Sequence, residues 1–323
     1  MTNQLELPES NYSQAEVKKA YVAILTTLLM VAFMPILLRI SESSISPNAT
    51  IFNRFWIATV VLGLWNGVLI VKRRSIPTPT ETLQNSPPIK LFPDSYSFLL
   101  LLILAIIFVG FQLFWAWSLT QTSVANSEVL HSVTPLFTTL LGWGLLGQKF
   151  DRLFLIGVAI ALSGSILLVA NDFSIALDKL EGDVLALLSA LFWAGYLLVA
   201  EKLQTKLSIT AIITWICVLG TFLCLPILLV ARGELFPHSW QGWLTLIILG
   251  MAIILVQGLI SYSLKCLSSG LVATILLLNP ILTSIFAWII FSETLNLLNF
   301  LGFFIILLGI YLTTSSKYAV KTH

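Results

Sequence analysis

The stretch Ser132–Ala170 decides the fold, and it reads SVTPLFTTLLGWGLLGQKFDRLFLIGVAIALSGSILLVA. It consists of two long apolar runs that are joined by the short polar segment Gln148–Arg152. The second half of the chain holds a counterpart, Leu277–Leu312, which reads LLNPILTSIFAWIIFSETLNLLNFLGFFIILLGIYL. Since about 20 apolar residues suffice for a helix to cross a bilayer, each of these runs predicts a membrane span.

The composition places most of the chain in lipid. Of the 323 residues, 58% are hydrophobic and only 10% are charged, and the mean hydropathy is +0.96. A soluble domain carries about 25% charged residues and could not hide this much apolar surface. The net charge of +2 gives no electrostatic support to nucleic-acid binding. The three cysteines show neither a disulfide framework nor the spacing of metal ligands.

We predict an all-α integral membrane protein with ten transmembrane helices. The predicted spans, numbered in chain order, are Tyr21–Arg39, Ala49–Val71, Phe98–Leu119, Val124–Leu146, Leu153–Val169, Asp183–Val199, Ile209–Val230, Trp243–Leu264, Gly270–Phe291 and Leu297–Thr313. Helices are required because lipid offers no hydrogen-bond partner for free backbone groups. Ten spans of about 20 residues leave no room for a soluble catalytic domain.

Lysine and arginine predict the orientation. With the N-terminus inside, 13 of these residues fall in internal segments and 3 in external segments. This positive-inside bias predicts that both termini are cytoplasmic in a multi-pass protein of the cell (inner) membrane. Residues 1–19 are therefore predicted to be a cytoplasmic tail, as are residues 315–323.

The two halves of the chain repeat. At a fixed offset of 145 residues, spans 3–5 align with spans 8–10, so that Gln112 falls on Gln257 and Pro135 on Pro280. Each half has five spans, and because five is odd the second half enters the membrane upside-down. We predict two inverted five-helix repeats, residues 20–172 and 173–314, with a polar loop at 74–96. Inverted repeats are typical of secondary transporters, whose substrate site lies near the midplane.

Three segments resemble the EamA-type family of the drug/metabolite transporter superfamily: Ser46–Trp56 (SPNATIFNRFW), Ser132–Ala170 and Leu277–Leu312. The family places an Arg-Phe pair in span 2, a proline in spans 4 and 9, and a glutamate at the end of those spans. Glu293 matches this glutamate, whereas Gln148 has an amide there. The first span also lacks the family's usual Trp-Gly pair. The resemblance, over about residues 20–314, implies a ten-helix carrier of small metabolites that works by alternating access, often as an exporter.

Predicted span 4 carries the polar stripe that most clearly indicates a site. Glu128, His131, Ser132 and Pro135 share one narrow face, which should meet protein or a water-filled cavity rather than lipid. Pro135 lacks an N–H, so the carbonyl of His131 loses its helical partner. That carbonyl either accepts from a substrate or is satisfied by Ser132 or water.

Glu128 and His131 lie one helical turn apart and are the candidates for proton coupling, because they can share a proton and histidine titrates near neutral pH. The alternative is a structural hydrogen bond, or a glutamate that simply reaches water.

Other spans supply further candidates. The full set of predicted substrate-binding residues is Gln112, Trp115, Glu128, His131, Ser132, Trp193, Tyr196, Gln257 and Asn279, and the predicted helix breaks are Pro135 and Pro280. Amides serve equally well as contacts between helices, so that interpretation stays open.

Three residues are predicted to act as gates or structural groups. Arg54 needs a partner inside the membrane, which is Glu128, Glu42 or a substrate carboxylate. Because the Arg-Phe pair recurs in the family whatever the substrate, we assign Arg54 to a structural pairing or a gate. Gln148 and Glu293 end spans 4 and 9 on opposite sides of the membrane and receive the same assignment.

The combined features predict a secondary transporter for an amino acid or another small amphipathic solute, which acts by alternating access, exports its substrate and couples to protons. The alternatives are a membrane-embedded receptor and an uncoupled facilitator. No nucleotide loop, metal-ligand set or Ser/His/Asp constellation is present in the sequence, so we predict no enzymatic activity and no cofactor or metal. The predicted partners are the lipid bilayer, a small-molecule substrate and protons.

Overall fold

The computed structural model describes residues 13–34, 37–38, 41, 45–75, 93–122, 124–169, 180–231, 234–282, 285–286 and 297–319. Helices joined by short turns make up this part of the chain. In chain order they are α1 (Gln14–Ala32), α2 (Pro47–Ser75), α3 (Ser95–Gln121), α4 (Val124–His131), α5 (Thr134–Leu146), α6 (Arg152–Val169), α7 (Leu180–Leu203), α8 (Ile209–Ala231), α9 (Trp240–Cys266), α10 (Ser269–Ile275) and α11 (Leu297–Thr314).

Within the described ranges, seven helical stretches are long and apolar enough to cross a bilayer. They are Pro47–Val68, Ser95–Gln121, Ser127–Leu146, Leu180–Leu203, Ile209–Val230, Trp240–Cys266 and Leu297–Thr314. Two shorter apolar helices, Arg152–Leu167 and Ser269–Leu282, accompany them. The prediction of an all-helical, multi-pass membrane protein is therefore confirmed. The predicted repeat boundary at residues 172–173 and most of the polar loop 74–96 lie outside the described residues.

Helix α1 begins inside the segment that we predicted to be a tail. Ser13 caps it, because the Ser13 hydroxyl accepts from the backbone N–H of Glu16 at 3.2 Å. The Glu16 carboxylate in turn accepts from the backbone N–H of Ser13 at 3.0 Å. This capping box fixes the start of the helix seven residues before the apolar run, which is why hydropathy alone placed the start too late.

Helices of the first half pack mainly against helices of the second. Pairs that join the two halves include α1 with α9, α2 with α8, α2 with α9, α3 with α7, α3 with α8, α5 with α10, and α6 with α11. The largest core side chains, among them Phe55, Phe108 and Tyr196, are fully buried. A Cβ added at Gly157 of α6 would lie 2.8 Å from the carbonyl oxygen of Gly309 on α11. The absence of a side chain at Gly157 thus lets these two backbones approach closely.

The fourth predicted span is interrupted. Helix α4 ends at His131 and α5 begins at Thr134, with Pro135 in the first turn of α5. The ninth predicted span is tightened in the same region, where α10 gives way to a 3₁₀ turn at Leu276–Leu278 just before Pro280. Both proline-containing breaks face the interior of the bundle, because Pro135 and Pro280 line the same cavity.

Candidate functional site

A cavity of about 150 Å³ lies between helices of the two halves. Eight of the nine predicted substrate-binding residues line it, namely Gln112, Trp115, Glu128, His131, Ser132, Trp193, Gln257 and Asn279. Arg54 lines it as well. The bundle therefore gathers into one volume residues that are up to 249 positions apart in the chain, counted from Val31 to Pro280.

His131 is held from two sides. Its Nδ1 lies 3.0 Å from the hydroxyl oxygen of Ser189 on α7. The single hydroxyl proton of Ser189 is donated to the carbonyl of Ala186 at 2.7 Å. Nδ1–H of His131 is thus the donor to Ser189, and Nε2 is the nitrogen at which the ring gains or loses a proton. Phe111 stacks on the imidazole, with ring centroids 5.6 Å apart.

Glu128 is only partly buried, and its carboxyl lies close enough to the indole N–H of Trp115 to interact with it. Within the part of the chain that the structure describes, no hydrogen bond joins Glu128 to His131. The hydroxyl of Ser132 is turned to its own helix and donates to the backbone carbonyl of Glu128 at 2.7 Å. Glu128 and His131 therefore present separate polar groups to the cavity.

The carbonyls freed by the two prolines already accept hydrogen bonds from their own chain. The His131 carbonyl accepts from the hydroxyl of Thr134 at 2.7 Å. The Leu276 carbonyl accepts from the backbone N–H of Asn279 in the 3₁₀ turn. The structure thus favours the alternative that these carbonyls are satisfied locally, with Thr134 rather than Ser132 as the donor to His131.

Two side-chain amides on the cavity wall have a buried oxygen without a partner. In the described ranges, Oε1 of Gln257 and Oδ1 of Asn279 make no hydrogen bond. Gln112 and Gln257 are each only 5% exposed. Because buried polar atoms are nearly always hydrogen-bonded, such atoms on a cavity wall indicate where a bound molecule or water would donate.

Two predicted residues, Tyr196 and Gln148, lie outside the cavity lining. Tyr196 is fully buried and does not line the cavity; it stacks behind Trp193, with ring centroids 5.0 Å apart and an interplanar angle of 3°. Its predicted role as a wall residue is corrected to support of Trp193. Gln148 follows α5 away from the cavity, where its backbone N–H donates to the carbonyl of Gly142 at 3.0 Å. Glu293 lies outside the described residues.

The apolar part of the wall was not predicted from the sequence. Six of its members are Phe111, Val256, Ile260, Ala273, Leu276 and Leu277. Within a protein of this hydropathy, an apolar residue that faces a cavity looks the same as one that faces lipid. The offset of 145 residues identifies four of them, because Ile260, Ala273, Leu276 and Leu277 lie 145 positions after Trp115, Glu128, His131 and Ser132.

The EamA-like transporter family matches this chain in two segments, residues 18–170 and 180–315. The protein named "Uncharacterized transporter" from Archaeoglobus fulgidus is 24% identical over 309 residues, which cover 93% of this chain and 99% of that protein. The "Uncharacterized inner membrane transporter YhbE" of Escherichia coli K12 is 24% identical, and the match covers 88% of each chain.

Two further likenesses are more distant. The "Pseudopaline exporter CntI" of Pseudomonas aeruginosa is 21% identical over 58% of this chain and 64% of its own. One solved crystal structure superposes with a TM-score of 0.73 at 14% sequence identity, and the match covers 91% of this chain and 97% of that one. At this identity the superposition speaks for the fold alone. Together with the apolar helices, the two-segment family match establishes that this chain belongs to the EamA-like transporter family of membrane transporters.

Proposed function

We propose that this protein is a secondary transporter with ten spans in two inverted repeats, which moves a small amphipathic solute by alternating access. The observation that carries the proposal is that residues of the first half that line the cavity have counterparts at a fixed offset in the second half, which line it too. Between Phe111 and Pro135 the first half supplies Phe111, Gln112, Trp115, Glu128, His131, Ser132, Thr134 and Pro135, and for each of these eight the second half supplies the residue 145 positions later, from Val256 to Pro280. A cavity bounded by equivalent surfaces of two inverted halves can open to either side through the same motion of each half.

The helix pairs support this arrangement. Equivalent helices of the two predicted repeats meet in α2 with α8, α5 with α10, and α6 with α11. The pair α1 with α9 and the pair α3 with α7 exchange with each other when the repeats are exchanged, and so do α2 with α9 and α3 with α8. A pseudo-twofold axis between the halves would produce this pattern.

Packing at one end of α9 supports the proposed placement of both termini on the cytoplasmic side. The hydroxyl of Ser263 donates to the carbonyl of Ala20 near the start of α1 at 2.9 Å. The backbone N–H of Ser268 donates to the carbonyl of Ala319, which follows α11, at 3.2 Å. The start of α1 and the segment after α11 thus lie at the same end of the bundle, as an even number of spans requires. We place that end on the cytoplasmic side of the cell (inner) membrane because of the positive-inside bias.

The chemistry of the wall favours an amphipathic solute such as an amino acid. Where the first half has Trp115, Glu128 and His131, the second half has Ile260, Ala273 and Leu276. A molecule with a polar end and an apolar end would satisfy both surfaces in one orientation. Export is the proposed direction, since a relative is named as an exporter.

Proton coupling is assigned to Glu128 and His131, the ionisable pair on the polar surface. Since Nδ1 of His131 donates to Ser189, its Nε2 is the proposed proton-exchange atom. The two groups do not hydrogen-bond to each other in the described structure, so in this proposal each binds its own proton or substrate group.

Counterflow in proteoliposomes tests the proposal. Vesicles preloaded with one unlabelled amino acid at a time should accumulate the labelled form transiently, because an alternating-access carrier exchanges substrate across the membrane. A receptor would bind the labelled substrate without accelerated exchange. A transport rate that is the same with and without an imposed proton gradient would contradict proton coupling. Glu234→Gln serves as a matched control for Glu128→Gln, because Glu234 lies outside the cavity with its side chain 64% exposed.

A further inference from the structure

Arg54 is a buried cation on the cavity wall, and none of the residues that the structure describes places an anion beside it. The residue is 7% exposed, and its Nε makes no hydrogen bond to any residue that the structure describes. Among those same residues, no carboxylate oxygen lies within 4.0 Å of its guanidinium, and this includes Glu128 on the same wall. The partner that Arg54 was predicted to need inside the membrane is therefore not supplied by any residue that the structure describes.

A guanidinium in this position cannot relieve the cost of burial by losing its proton. It presents five N–H donors in a planar fork, which matches the two oxygens of a carboxylate or a phosphoryl group. A buried charge without a partner is strongly destabilising. An oxyanion that enters the cavity would supply both the missing charge and the missing acceptors.

We propose that Arg54 is the anion-binding residue of the central cavity and that its guanidinium takes a carboxylate or phosphoryl oxyanion of the bound molecule. This replaces our assignment of Arg54 to a gate or structural pairing. The proposed anion site rests on the proposed transport function in one respect, namely that the bound molecule is the transported substrate. The site itself depends on the cavity and the unpaired charge.

The arrangement of charge restricts the substrate further. Arg54 and Glu128 have opposite charges and line one cavity without forming an ion pair in the described structure. A molecule with an oxyanion at one position and a donor group at another can satisfy both residues at once. A solute with only positive charge would compensate Glu128 but leave Arg54 buried and unpaired, so purely cationic solutes are excluded as preferred substrates.

Arginine-selective labelling tests the assignment without knowledge of the natural substrate. The purified full-length protein is treated with p-hydroxyphenylglyoxal, and modification of Arg54 is measured by peptide mass spectrometry at constant ionic strength. The probes are benzoate, benzamide and inorganic phosphate. Benzoate and benzamide have nearly the same shape and differ in charge. Arg152, which is exposed at the start of α6, reports in the same sample on any direct effect on the reagent.

We expect benzoate to slow the labelling of Arg54 several-fold while benzamide does not, with Arg152 unchanged in all samples. Protection by phosphate but not benzoate assigns a phosphoryl ligand, and protection by benzoate assigns a carboxylate. Equal labelling of Arg54 with every probe overturns the proposal. The proposal is also overturned if Arg54 does not react with the reagent in the unliganded protein. If Arg54 then becomes reactive only in Glu128→Gln or only in Glu42→Gln, the replaced glutamate is its internal partner.

The outcome separates this site from the transport proposal. Protection of Arg54 in a protein that fails every counterflow assay would keep the anion site and reject transport. Counterflow without protection of Arg54 would keep transport and reject the anion site.

Discussion

The imidazole of His131 on α4 and the hydroxyl of Ser189 on α7 lie 3.0 Å apart, although 58 residues separate them in the chain. This hydrogen bond connects the break between α4 and α5 in the first half of the chain to a helix of the second half. It fixes both the orientation and the tautomer of a histidine on the cavity wall, because Ser189 already donates to its own backbone. In the proposed coupling, the proton therefore passes through Nε2 of His131.

Ser189→Ala should lower proton-driven transport by about 2- to 10-fold, the value of one hydrogen bond worth roughly 0.5–1.5 kcal/mol in the transition state. The protein should still fold, since the deleted hydroxyl bonds only the imidazole and a helix carbonyl. Ser163→Ala is the matched control, because the exposed Ser163 makes the same type of bond, to the carbonyl of Ile160 at 2.7 Å. Equal rates in both variants would show that His131 needs no orientation.

Glu128→Gln should uncouple the carrier while leaving exchange intact. The amide keeps the shape and the interaction with the indole of Trp115 but cannot carry a proton through the cycle. We expect transport driven by a proton gradient to fall to the undriven rate, whereas counterflow persists. Unchanged gradient-driven accumulation would transfer the coupling role away from Glu128.

Gly157→Ala should destabilise the bundle by about 1–3 kcal/mol, because the added Cβ would meet the backbone of Gly309 at 2.8 Å and overpack the contact between α6 and α11. Gly144→Ala is the control: nothing lies within 4 Å of a Cβ at that position. Loss of glycine from a helix interior should stabilise the folded state there by about 0.5–1 kcal/mol. Unfolding in mixed micelles should thus give shifts of opposite sign, and equal shifts would contradict the close approach of α6 and α11.

The start of α1 should depend on pH. Hydrogen bonds from the backbone and the side chain of Ser13 hold the pKa of the exposed Glu16 carboxyl below its ordinary value of 4.5. Because the folded pKa is lowered, the cap stabilises the helix above the ordinary pKa and is lost as the pH falls through the lowered one. Ser13→Ala should raise the pKa of Glu16, as measured by NMR titration of labelled glutamate. An unchanged value would mean that the cap does not form.

The apolar runs and the offset between the halves were enough to predict the helices and several residues of the cavity wall. In lipid a chain must satisfy its backbone hydrogen bonds internally, so long apolar stretches had to become helices. The equal offset of 145 residues from Gln112 to Gln257 and from Pro135 to Pro280 indicated equivalent positions in the two halves, and all four residues line one cavity. The polar stripe from Glu128 to Pro135 was identifiable because polar groups are costly against lipid and therefore turn inward.

Only the tertiary structure decided which group each inward side chain meets. Tyr196 and Trp193 lie one turn apart on α7, yet Trp193 reaches the cavity and Tyr196 packs behind it. Ser189 became the partner of His131, and Arg54 was left without one among the described residues. Hydropathy indicates that a residue avoids water, but it does not distinguish an apolar residue in the protein core from one that lines the cavity or faces lipid. The choice among them is made by the packing of helices that are distant in sequence, which no local pattern encodes.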